Sequence, residues 1–175
     1  MGQKLDCKAR KNNMNIITTI KETFADGPGI RYSIYTAGCT HHCKGCHNPE
    51  TWDVTKGTPY QKMLPEIIKD IKANPLITGI TFSGGDPFLF PYDLYCMLLE
   101  LKKEFPEKNI WLYTGYTLKE LKDLAFNREP FILLALGLID TLVDGPFIEE
   151  LKIDGEFRGS SNQCFIENPL AKLNI

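Results

Sequence analysis

The chain of 175 residues has no long apolar run: the longest, FILLALGLI at 131–139, is far short of the roughly 20 residues that cross a bilayer. Its first ten residues, MGQKLDCKAR, lack the apolar core of a secretory signal, and Asp6 stands where a myristoylation signal needs Ser or Thr. No membrane partner is expected, and the expected location is the cytoplasm. Charge of one sign is also missing. Twenty basic residues against 22 acidic ones leave a net charge of -2, which gives no basic footprint for nucleic acid. Histidine is scarce, with three in all, and the second C-x-x-C that usually completes a zinc knuckle does not occur. No low-complexity linker divides the chain, so residues 14–175 read as a single domain behind a polar, disordered tail over residues 1–13.

Six cysteines are present, and in a reducing compartment they argue for metal or redox chemistry rather than a disulfide framework. Cys7, Cys96 and Cys164 are scattered, and read as one tail thiol and two buried small hydrophobes. Cys39, Cys43 and Cys46 are different: CTHHCKGCH packs them with all three histidines into residues 39–47. A zinc site would need one of those histidines as its fourth ligand, because a structural site closes a tetrahedron. A 4Fe-4S cluster normally takes four thiolates, so three would leave one iron open to substrate. The spacing by itself leaves both alternatives standing. His41 and His42 read as solvated loop residues, and His47 as a residue lining the pocket.

The rest of the chain has a rhythm. RYSIYTAG (31–38), GITFSGG (79–85), NIWLYTG (109–115) and TLVDG (141–145) are short β-rich runs that pass into glycine, and are predicted as four strands. Between them PYDLYCMLLELKKEF (91–105) sets Leu94, Leu98, Leu101 and Phe105 on one helical face. A second helix is predicted over 58–73, with Pro65 kinking it or opening its main part, and a third over 117–126 with Thr117 as its cap. Strands alternating with helices predict an α/β fold with a mostly parallel sheet. Ligands bind such sheets beyond the carboxyl ends of the strands, where the cysteine loop, SGGDP (83–87), YTGY (113–116) and VDGPF (143–147) would converge.

CTHHCKGCHNPETW (39–52) resembles the cluster loop of radical S-adenosylmethionine (SAM) enzymes, and DGPGIR (26–31) followed by a strand and that loop resembles the activating enzymes of glycyl radical enzymes. SGGDPF (83–88), LYTGY (112–116), DTLVDGPF (140–147) and FRGSSNQ (157–163) recur, in this order, in the branch of that family acting on anaerobic ribonucleoside-triphosphate reductases. The resemblance runs from Ile16 to about Gln163 and is specific as a set, although SGGD or DGPG alone is weak. Gly45, where many members of the wider superfamily carry an aromatic residue, is typical of this branch.

The resemblance implies that Cys39, Cys43 and Cys46 hold a 4Fe-4S cluster whose open iron is chelated by the amino and carboxylate groups of SAM. One electron from the reduced cluster would then cleave the sulfonium to methionine and a 5'-deoxyadenosyl radical, with no catalytic residue required beyond the two cofactors. Gly84 and Gly85 would bring backbone carbonyls to the SAM amino group, with the charge of Asp86 nearby. Gly45 and His47 would flank the adenine edge, and Thr114 and Asp144 would contact the ribose or methionine portion. Pro49 and Trp52 would shield the loop. Arg158 to Gln163 could close over SAM, receive a partner's loop, or form a polar turn.

The fold implied is a partial, open (β/α) barrel of the radical SAM type, since eight βα units take about 250 residues and this chain has room for four or five. Its open side would admit the glycine loop of a protein substrate, the large glycyl radical subunit of an anaerobic ribonucleoside-triphosphate reductase, with a flavodoxin-type electron donor. Two alternatives stay within the superfamily, the activase of pyruvate formate-lyase and a small-molecule enzyme. A third, a zinc-binding interaction module, does not.

Overall fold

The computed structural model describes Cys7 and residues 14–173. Among them lie seven strands, β1 (Asn15–Thr23), β2 (Arg31–Thr36), β3 (Thr58–Pro59), β4 (Gly79–Gly84), β5 (Asn109–Tyr113), β6 (Thr141–Asp144) and β7 (Cys164–Glu167). Four α-helices accompany them, α1 (Tyr60–Ala73), α2 (Pro91–Glu104), α3 (Leu118–Asn127) and α4 (Phe131–Leu136). All seven strands join one sheet in the order β3-β1-β2-β4-β5-β6-β7. The middle four are parallel and the flanking pairs antiparallel, so the fold is mixed α/β with a parallel centre.

The period of two along each central strand sorts its side chains onto two faces. Tyr32, Ile34, Ile80, Phe82, Ile110, Leu112 and Leu142 share one core cluster with Ile67 and Ile71 of α1, Leu94, Leu98 and Leu101 of α2, Leu121 of α3, and Ile132 of α4. All four helices therefore cover the same face. Each of the three α2 leucines is fully buried, a contribution of about 1.5–3 kcal/mol apiece. The alternate residues Arg31, Tyr35, Thr81, Ser83, Trp111 and Tyr113 point to the other face, which is polar.

At the amino end of that polar face Arg31 acts as a bolt. It has no exposed surface, and its Nε donates to Thr81 Oγ1 (2.8 Å), its Nη2 to the Ile80 carbonyl (2.7 Å) and its Nη1 to Asn109 Oδ1. The guanidinium also lies 5.7 Å from the Trp111 ring centre. Burial lowers its pKa to about 10, so it stays charged at neutral pH. Thr81 Oγ1 donates in turn to the Asp26 carbonyl (2.8 Å), which fastens DGPGIR across the sheet.

The four predicted strands and the helix over 91–105 are present, each strand ending one or two residues before the glycine-led turn. Thr117 caps α3 in a full capping box with Glu120. Pro65 sits inside α1 without ending it, and residues 58–59, predicted as helix, instead form β3 against Asn15 and Ile16. β1, β7 and α4 were not anticipated. The reading of Cys7, Cys96 and Cys164 needs correction: Cys7 and Cys96 form a disulfide, and Cys164 is exposed. The pairing joins residues 89 apart, a proximity that no local pattern encodes. The tail expected over residues 1–13 falls, Cys7 apart, outside the described residues. Among the described residues no helix is long and apolar enough to cross a membrane.

Candidate active site

The carboxyl ends of β2, β4, β5 and β6 open into one cavity of about 470 Å³. Cys39, Cys43, Cys46 and His47 form one wall, and Gly84, Gly85, Asp86, Thr114 and Gly115 the facing one. Tyr35, Ser83 and Tyr113, from the polar face of the sheet, line its interior, with Asp26 beside them. Residues 152–159 contribute a further wall.

Each cysteine of the loop is free and half-buried. Burial pushes the Cys39 thiol pKa up, because a desolvated thiolate is disfavoured. Cys46 Sγ accepts a hydrogen bond from Asn48 N (3.4 Å), the kind of contact that tunes a thiolate-bound cluster. Among the described residues no three Cys, His, Asp or Glu side chains converge as ligands of a single metal ion. A cubane asks for a different geometry, because each thiolate binds its own iron corner. Three free cysteines lining one cavity fit the three legs of such a cluster.

Asp86 is 2% exposed and fully engaged. It accepts from Phe88 N (3.0 Å), capping the single-turn helix Pro87–Leu89, and from Gly115 N (2.9 Å). Thr114 Oγ1 donates to both of its oxygens (3.0 and 2.9 Å), and His41 Nε2 lies 2.8 Å from Oδ2. A carboxylate only accepts, so the proton of this last bond sits on Nε2. The bond raises the His41 pKa against the opposing effect of burial. The reading of His41 as a solvated residue is therefore corrected: its ring packs edge-on to Tyr116 (4.5 Å) and against Gly115. His42 is exposed, as read from the sequence, and its ring stacks on Trp52 at 4.8 Å.

The glycines have structural reasons. Gly84 has φ of 96°, in the left-handed region, and a Cβ there would lie 2.7 Å from Thr36 N. At Gly85 a Cβ would meet the Gly38 carbonyl oxygen at 2.3 Å, so this glycine lets the β4 end pass close under the start of the cysteine loop. Gly45 does not line the cavity; its left-handed backbone packs on Glu149, whose carboxylate a Cβ would meet at 2.8 Å. Asp144 does not line it either. It is buried, and its Oδ2 accepts from Leu118 N (2.7 Å) at the start of α3.

Other cavity residues went unremarked in the sequence. The Tyr35 hydroxyl donates to Asp26 Oδ2 (2.9 Å) and the Tyr113 hydroxyl to the Phe157 carbonyl (2.8 Å), and burial raises both phenol pKa values. Their strand parity was the available signal, since they share a face with Ser83. Within FRGSSNQ, Gln163 is the anchor: its Oε1 accepts from Gly159 N (2.8 Å) and its Nε2 donates to the Gly145 carbonyl (2.9 Å). That segment is held against the end of β6, and Arg158 and Gln163 face the cavity.

A family model for a 4Fe-4S single cluster domain matches residues 25–166, a span that includes all three loop cysteines and every wall of the cavity described above. Among curated proteins, an anaerobic ribonucleoside-triphosphate reductase-activating protein of Vibrio cholerae is 44% identical over 144 residues, covering 79% of this chain and 88% of the relative. A protein of the same name from Pasteurella multocida is 38% identical over 86% of this chain and 95% of its own. One from the phage T4 is 33% identical over 83% and 88%. The family model spans the cysteine loop and the cavity and the relatives cover most of the chain, and the chain belongs to the family of anaerobic ribonucleoside-triphosphate reductase-activating proteins.

Proposed function

We propose that this chain is a radical SAM enzyme that installs a glycyl radical on an anaerobic ribonucleoside-triphosphate reductase, its helix-covered sheet being a partial, open barrel. The observation that carries the reading is the meeting of three free cysteines with the Gly84–Asp86 and Thr114–Gly115 turns across a single cavity. Cys39, Cys43 and Cys46 would hold a 4Fe-4S cluster at its rim. Gly84, Gly85 and Thr114 would seat SAM beside it, with His47 at the adenine edge. Bound there, the reduced cluster would supply one electron for cleavage of SAM, with methionine as the leaving group, and so the radical chemistry that removes a hydrogen atom from the substrate glycine.

The chain's own work is positional. Hydrogen transfer needs reacting atoms within roughly 3–3.5 Å, and a walled cavity also keeps water from a reactive intermediate. Asp86, spent on four neighbours, orients the turns instead of meeting the SAM amino group with a free charge. A flavodoxin-type protein is the proposed electron donor.

Anaerobic reconstitution with iron and sulfide, followed by dithionite and SAM, should yield 5'-deoxyadenosine and methionine. Adding the reductase should give a glycyl doublet by electron paramagnetic resonance, and pyruvate formate-lyase should give none. About one zinc per chain, with no iron or acid-labile sulfide after anaerobic purification, would sink the radical reading. A doublet on the lyase alone would overturn the choice of partner.

A further inference from the structure

The loop that carries the three cysteines leaves the end of β2 with few attachments. Backbone bonds hold its flanks, Gly38 N to the Thr51 carbonyl (2.7 Å) and Cys39 N to that of Trp52 (3.3 Å). Within it, the bond from Cys46 N to the Cys43 carbonyl (3.2 Å) and the stack of His42 on Trp52 are local. Lys44 reaches Glu149 (3.0 Å) and Glu150 (3.5 Å), but its side chain is 79% exposed and such pairs fix little. Among the described residues, two side chains inside the loop reach the facing wall: the exposed Thr40 hydrogen-bonds with Tyr116, and His41 makes the buried contact, its side chain 18% exposed against 2% for Asp86.

Asp86 cannot follow a wandering loop, because it stands two residues after the end of β4 and its oxygens take Phe88 N from the turn after it and Thr114 Oγ1 and Gly115 N from the end of β5; its amide also donates to the Gly38 carbonyl (2.8 Å) at the flank of the loop. The His41 ring has no room to swing away, being packed on Gly115 and Tyr116. We propose that His41 is a positioning residue: through its hydrogen bond to Asp86 it fixes the loop of Cys39 and Cys43 against the Gly84–Asp86 and Thr114–Gly115 turns. It thereby sets how a cluster on the loop meets a cofactor seated on those turns. The inference rests on the function proposed above, and it assigns His41 no contact with either group.

Three variants separate the hydrogen bond from simple packing. In His41→Gln the amide nitrogen falls near the place of Nε2 and can still donate to Asp86; in His41→Phe the ring remains and the donor is gone; in His41→Ala both are lost. Each is reconstituted anaerobically alongside the unmodified protein, iron and acid-labile sulfide are assayed per chain, and SAM binding is measured by equilibrium dialysis. The expected result is unchanged iron and sulfide in all four proteins, with SAM affinity near the unmodified value in His41→Gln. It should fall about tenfold or more in His41→Phe and His41→Ala, the scale of one lost hydrogen bond to a charged group. His41→Phe binding SAM normally while His41→Gln fails would make the residue packing alone and overturn the proposal. So would unchanged affinity in all three, or loss of iron from all three. Failure of the unmodified protein itself to take up iron and sulfide would instead remove the functional reading on which the inference stands, and the inference with it.

Discussion

Replacing Gly85 with alanine adds one carbon at the most crowded point of the site. Its Cβ would lie 2.3 Å from the Gly38 carbonyl oxygen, 2.8 Å from the carbonyl carbon and 3.0 Å from Gly38 N, all backbone atoms with no rotamer to yield. Ordinary contact begins at 3.4 Å, so the end of β4 and the start of the cysteine loop must part by about 1 Å. That movement breaks the bond from Asp86 N to the Gly38 carbonyl and strains the one from Gly85 N to the Thr36 carbonyl, both 2.8 Å. Overpacking of this kind costs about 1–3 kcal/mol and a lost buried hydrogen bond about 1 more. Together they predict a loss of about 2–4 kcal/mol, or a fall in melting temperature of roughly 5–15 °C for a domain this size. Gly137→Ala is the control, because there the nearest atom is the mobile Leu170 Cδ2 at 3.2 Å and the backbone φ is -70°. Thermal unfolding of the metal-free proteins, followed by circular dichroism, reads the difference. Equal melting temperatures in the two variants would refute the close approach of Gly85 to Gly38.

Single substitutions Cys39→Ala, Cys43→Ala and Cys46→Ala should each abolish stable cluster assembly, while Cys164→Ala keeps it; equal iron loss in both sets would contradict the three-legged site. Under non-reducing conditions the denatured protein should titrate four thiols, and six after reduction. Cys7→Ser should then lower stability by up to about 4–5 kcal/mol, the chain-entropy value for a bridge across 89 residues, and no change in denaturant midpoint would argue against the bridge. Asp144→Ala should cost about 1–2 kcal/mol by releasing Leu118 N at the start of α3, with SAM affinity unchanged; a tenfold loss of affinity would return Asp144 to the site.

Much of the site could be read from the sequence because its signals are local. The C-x-x-x-C-x-x-C spacing, the glycine after each β-rich run and the Thr117–Glu120 capping box depend on residues within a few positions of one another. The alternation in RYSIYT and NIWLY encoded the two faces of the sheet, and so placed Tyr35 and Tyr113 in the cavity, although only the ends of those strands drew attention. β1 was missed although IITTI is β-branched throughout, since an exposed Thr18 and Ile20 beside the half-buried Thr19 leave no clean apolar-polar alternation at the flank of the sheet. FILLAL was seen as an apolar run and not as α4, because six residues are too few to show a helical period.

Taken by itself, the sequence determined the four central strands, the helices between them, the clustering of three thiols at a strand end and, through the ordered motifs, the family. Tertiary structure alone decided what the side chains at those places touch. Asp144 and Gly45 carry the right motif but support α3 and the turn against Glu149, while His41, which reads as a solvated loop residue, bridges 45 positions to Asp86. Cys7 and Cys96 meet across 89. The physical reason is the same in each case: local sequence sets backbone geometry over a few residues, but a hydrogen bond, a clash or a disulfide needs atoms within a few ångströms, and only the stacking of β2, β4, β5 and β6 over α2 brings these distant segments that close.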